Sequence, residues 1–100
     1  MKYKLLIKPI VFIDVEDAYL YYEKKVTGLG NRFYQNILLA FNNIDQNPLN
    51  YSFVNQPVRR HILKDFPYKV YFVVENQQVI ILGIAHVKRS NLFLKKKLKK

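Results

Sequence analysis

No cysteine occurs in the hundred residues, so the fold has no disulfide framework and no thiolate metal site. Only two histidines are present, His61 and His86, and the acids gather early in the chain, which leaves a metal centre short of ligands. Glycine is scarce, at three residues. The stretch "TGLGN" lies between two helical patterns rather than after a strand, so it lacks the setting of a phosphate loop. No window approaches the about 20 apolar residues of a membrane span. The start, "MKYKLLIKPIVFIDVED", is broken by Lys8, Pro9 and then acids, unlike the core of a signal peptide. These absences predict a soluble, cytoplasmic protein with no cofactor and no membrane partner, and missing cysteine fits a reducing compartment.

Negative charge is also in short supply. Seven acids face seventeen Lys and Arg, for a net charge of +10. The excess is uneven: residues 1–56 hold six cations against five acids, and residues 57–100 hold eleven against two. A basic C-terminal half implies an acidic or polyanionic partner.

Half the residues are hydrophobic and 15% are aromatic, enough for a packed core in one domain. We place that domain at residues 1–94, with a lysine-rich tail at 95–100. "KYKLLIK" alternates with period two, Tyr3, Leu5 and Ile7 lying on one side, and reads as a first strand ended by Pro9. Phe12, Val15, Tyr19, Tyr22 and Val26 then form a stripe at helical spacing. Asp14, Glu16 and Asp17 lie early and Lys24 and Lys25 late, as a helix dipole favours. Gly28 and Gly30 are the natural stop. A second helical stripe comprises Phe33, Ile37, Ala40, Phe41 and Ile44 and ends before Pro48. After the turn-rich "NPLNYSFVNQP" come three strand-like segments, "VRRHILK", "YKVYFVV" and "VIILGIAHV", too close together for crossover helices. The fold class predicted is α+β, in the order β-α-α-β-β-β, a helical hairpin packed on a small, mostly antiparallel sheet.

The successive stretches "DVEDAYLYYEKK", "LGNRFYQNI", "IDQNPLNY", "RRHILKDFPYKVYF" and "IAHVKRSN" together resemble the RelE/ParE family of toxins, of plasmid-stabilisation type, from bacterial type II toxin–antitoxin modules. The resemblance runs from about residue 10 to 93. It implies the same β-α-α-β-β-β fold, a cognate antitoxin partner and a toxin–antitoxin hetero-oligomer. It also implies one of two targets: RelE-like members cut messenger RNA on the ribosome, and ParE-like members poison DNA gyrase.

Metal-free RNA cleavage needs a proton-transfer group and cations at phosphorus. His61 and His86 are the candidates for the first task, and Arg59, Arg60, Lys69 and Arg89 for the second. The catalytic set we name for a ribonuclease is His86, Arg60, Lys69 and Arg89. Beside the ribonuclease branch, Arg89 and Ser90 match an Arg-Ser pair, but an expected arginine falls on Val87 and an expected tyrosine on Phe93. Lys69 replaces an arginine, keeping charge and losing the planar fork. A ParE-like inhibitor that binds its target is therefore the first reading, the messenger-RNA endonuclease the second, and a non-toxic basic nucleic-acid-binding module the third. The target or nucleic-acid contacts expected are Arg59, Arg60, His61, Lys64, Lys88, Arg89, Phe93, Lys95, Lys96 and Lys97. Arg59 and Arg60 are neighbours on a strand and so point to opposite faces. Tyr19, Tyr21, Tyr22, Phe33, Tyr34 and Phe41 are expected mainly in the core, and His86 has an ordinary reading as a strand-end histidine.

Overall fold

The computed structural model describes residues 3–88. β1 (Lys4–Ile7) alternates as expected, with Tyr3, Leu5 and Ile7 against the core and Leu6 outward. Pro9 ends the strand and opens α1 (Pro9–Lys25), where a missing N–H costs nothing at the first helical position. α2 (Leu29–Gln46) follows, then a short 3₁₀ turn at Pro48–Asn50. Four strands complete the order: β2 (Phe53–Asn55), β3 (Val58–Ile62), β4 (Tyr68–Glu75) and β5 (Gln78–His86). The sheet runs β1-β5-β4-β3-β2, with β1 parallel to β5 and every other pair antiparallel. The expected α+β architecture is present, with one edge strand more than the sequence suggested. β2 is only three residues long, too short to show a period.

The second helix buries the stripe read from its spacing, Phe33, Ile37, Ala40, Phe41 and Ile44. Each large side chain there contributes about 1.5–3 kcal/mol by leaving water. α1 is rotated from its expected setting. Val11, Val15 and Ala18 are buried, whereas Phe12 and Val26 are 59% and 60% exposed. The run Ile10-Val11-Phe12-Ile13 is apolar all round, so spacing alone does not choose the inner face. Small Ala18 at the contact does. The first turn of α1 also holds no acid, because the helix begins earlier than the acids suggested, while Lys24 and Lys25 do occupy its last turn.

Gly28 and Gly30 divide the work at the helix junction. Gly28 takes φ 91°, a left-handed setting that suits glycine. Gly30 is a buried residue of α2, and a Cβ there would lie 2.5 Å from the Tyr19 carbonyl oxygen. It is the crossing point of the two helices rather than a stop. Glu23 of α1 reaches across and accepts the N–H groups of Gly28 (2.9 Å) and Gly30 (3.0 Å). Its carboxylate thus satisfies orphan donors at the start of α2.

Candidate functional site

Alternation along β4 sorts its side chains onto two faces. Val70 and Phe72, with half-buried Tyr68 and Val74, pack under the helices beside Val11, Phe33, Ile37 and Ile44. Tyr71 and Val73 belong to a separate cluster on the other face, with Val58, Leu82 and Ala85. The helices contribute nothing to that second cluster among the described residues.

The cations of the middle strands follow this division. Arg60 lies directly across from Tyr71, so it projects to the helix-free face. Lys69 is on the same face, buried at 5% exposure, with its Nζ 5.6 Å from the centre of the Tyr71 ring. Arg59 and His61 lie across from Phe72 and Val70 and project to the helix side. There Arg59 donates to the Tyr51 carbonyl (2.6 Å) and its guanidinium sits 4.0 Å from the centre of the Phe53 ring. His61 meets the Tyr51 ring edge-on at 4.8 Å between centres, and burial lowers its pKa from the ordinary histidine value. The neighbouring arginines thus do separate onto opposite faces. Lys64 is exposed between β3 and β4, and Lys88 is exposed just beyond β5. The described members of the expected contact set therefore spread over both faces and one end of the sheet. Arg89, Phe93, Lys95, Lys96 and Lys97 lie outside the described residues, as does Ser90.

His86 is not with Arg60 and Lys69. The β4–β5 hairpin turns through Asn76 and Gln77, both at positive φ (48° and 65°), as a tight two-residue connection requires. Counting outward from the Glu75–Gln78 pair in regular register would set His86 on the Lys69 face. The register instead slips by one between Phe72–Ile81 and Tyr71–Gly83, leaving Leu82 as the extra residue of a bulge. A one-residue slip moves each later side chain to the other face. His86 consequently pairs with Tyr68, on the helix side, with ring centres 5.6 Å apart. Its Nδ1 accepts the Lys88 backbone N–H (3.2 Å), which leaves Nε2 to carry the proton of the neutral ring. Of the expected catalytic set, the structure brings together Arg60 and Lys69 and separates His86 from both.

Around His86 the structure shows groups that the sequence reading missed. Tyr68 and Tyr22 stand edge to face with ring centres 6.3 Å apart, and burial raises the pKa of both from the ordinary tyrosine value. Tyr21 and Tyr34, read as mainly core, are 54% and 42% exposed. Lys25 lies one turn after Tyr21, its Nζ 4.9 Å from the ring centre. That i, i+4 pairing was the available signal.

No protein-family model and no curated protein matches this sequence. Solved structures do match in fold. A chain of the chromosomal ParDE toxin–antitoxin system from P. aeruginosa aligns with a TM-score of 0.76 at 18% identity, covering 85% of this chain and 96% of that one. The isolated E. coli RelE toxin aligns at 0.63 and 11% identity, covering 97% of each chain. The archaeal RelE–RelB complex from Pyrococcus horikoshii OT3 aligns at 0.56 and 14% identity, covering 90% of this chain and all of that one. With a helical hairpin on one face of a mostly antiparallel sheet, and these alignments spanning nearly its whole length, the chain has the RelE/ParE toxin fold.

Proposed function

We propose that this protein is the toxin of a type II toxin–antitoxin module, held by a cognate antitoxin in the cytoplasm, and that it acts by binding its target, as ParE-like toxins do. The fold likeness to the ParDE and RelE–RelB proteins supports the toxin role. One observation favours binding over cleavage. Arg60 and Lys69 face one side of the sheet while His86, the histidine next to the basic C-terminal stretch, faces the other. The other protic ring on the cationic face, Tyr71, is fully buried and cannot reach a phosphodiester. The target contacts of this reading are Arg60, with Arg89, Phe93 and the lysines 95–97, while Lys69 is buried beneath the same face.

The ribonuclease reading keeps one specific support, that Arg60 shares a face with Lys69 and, as the half-buried member of the pair, would stabilise charge at phosphorus. Mapping transcript ends in translating extracts, beside a gyrase supercoiling assay, separates the two. Covalent gyrase–DNA complexes without new transcript ends are the result expected. Cuts in codon phase, lost with Arg60→Ala, would overturn the binding reading. Unimpaired growth on expression without an antitoxin would overturn the toxin role itself.

A further inference from the structure

Where the end of β5 meets the end of α1, the surface opens into a recess of about 460 Å³. Tyr21, Tyr22, Lys25, Leu29, Pro67, Tyr68 and His86 line it. Its size falls in the roughly 300–1,000 Å³ range of small-ligand sites. It lies on the helix side, whereas Arg60 and Lys69 point away from it.

Four of the lining residues are planar rings in sequence of contact. Tyr21 meets Tyr22 at 5.3 Å and 77°, Tyr22 meets Tyr68 at 6.3 Å and 68°, and Tyr68 meets His86 at 5.6 Å and 68°. All three contacts are edge-to-face, so no two of these rings close on each other by stacking, and a planar guest can lie against a ring face. Polar groups sit among the rings: the Tyr22 and Tyr68 hydroxyls, and the Nε2 nitrogen of His86. Among the described residues, the one charged residue that lines the recess is a cation, and exposed Asp65, two residues before Pro67, accepts a hydrogen bond from Asn36. Lys25 lines the recess, Lys24 and Lys88 are exposed beside lining residues, and no carboxylate lines it. The nearest acid in sequence, Glu23, is committed to the Gly28 and Gly30 N–H groups.

Aromatic walls, a few hydrogen-bonding tips and a cation at the mouth are what an unstacked nucleotide requires. We propose that this recess binds one nucleotide, its base against the tyrosine rings and its phosphate at Lys25. The guest is either a free mononucleotide or one unit of a single strand. The site stands apart from the toxin reading and does not depend on it.

The test uses the full chain and two exposed residues whose replacement spares the core, Tyr21→Ser and Lys25→Gln. Binding is measured for AMP and for ten-residue oligo(dT) and oligo(rA), each over a salt series. Tyr21→Ser leaves the net charge unchanged, so its effect reports stacking rather than attraction to the lysine-rich end. Weakening of roughly 5- to 100-fold is expected for Tyr21→Ser. Lys25→Gln is expected to flatten the dependence of log K on log salt by about 0.7 for a single strand. Binding of AMP assigns the site to free nucleotides, and binding of the oligomers alone assigns it to a strand; both sustain the proposal. Equal affinity of wild type and Tyr21→Ser, or no binding of any of the three probes at low salt, overturns it. So does an octaglutamate peptide that competes fully with the oligomers and loses affinity equally with Tyr21→Ser, since that places a peptide in the recess.

Discussion

Lys69 and His86 lie on opposite faces of the sheet although their strands are hydrogen-bonded neighbours, Lys69 pairing with Ala85 and His86 with Tyr68. The bulge at Leu82 is the cause. Groups so separated should not sense each other. A double-mutant cycle of Lys69→Met and His86→Gln, read by urea unfolding, is expected to give a coupling energy below about 0.5 kcal/mol. A coupling of 1 kcal/mol or more, on the order of that for contacting pairs, would mean that the two groups share a face after all.

The two glycines at the helix junction should fail for different reasons. Gly28→Ala costs about 1–2 kcal/mol because its φ is left-handed, though nothing crowds the position. Gly30→Ala drives a methyl group into the Tyr19 carbonyl and costs about 1–3 kcal/mol by overpacking. Asparagine tells them apart: Gly28→Asn recovers part of the loss, and Gly30→Asn is worse than alanine. Thermal unfolding of the four variants gives the ranking.

Glu23 holds the start of α2 through two backbone N–H groups. Glu23→Ala should therefore cost about 1–2 kcal/mol, comparable to losing a helix cap. Glu23→Gln keeps one acceptor oxygen and should fall between. Amide exchange at Gly28 and Gly30 is the local readout, and unchanged protection in the alanine variant would contradict the role.

His61 makes stability depend on pH. Its folded pKa is lowered by burial, so between the ordinary histidine value and the folded value the unfolded chain binds more protons. The stability it supports is complete above about pH 6.5 and is lost as pH falls through the folded pKa. His61→Gln should flatten the fall in melting temperature over that interval. A His61 ring signal titrating above the ordinary value would reverse the sign.

Much of the architecture was legible wherever one period dominated. α2 carries a single apolar stripe, and β3 to β5 are β-rich runs with turn residues between them, so both were read correctly. α1 was placed but misrotated, because Ile10 to Ile13 offer four apolar directions and only contact with α2 selects among them. β2 was missed because three residues show no period and gain their place from pairing with β3. The working face was the hardest to read. Whether His86 joins Lys69 turns on the parity of the β4–β5 register, and Gly83 hinted at a bulge without saying which residue is extra. The recess escaped for another reason, since the β4–β5 register sets Tyr68 beside His86 and only the packing of α1 on the sheet brings Tyr21 to them.

β5 is hydrogen-bonded to β1 on one side and to β4 on the other, and it is the last strand of the described chain. During synthesis the helical hairpin can condense from nearby contacts, but β1 has no neighbour until Gln78 to Ile81 of β5 have emerged. Sheet closure thus waits for β5. A chain that stops short of β5 leaves β1 without a partner strand and takes Val79, Ile81 and Ile84 out of the core.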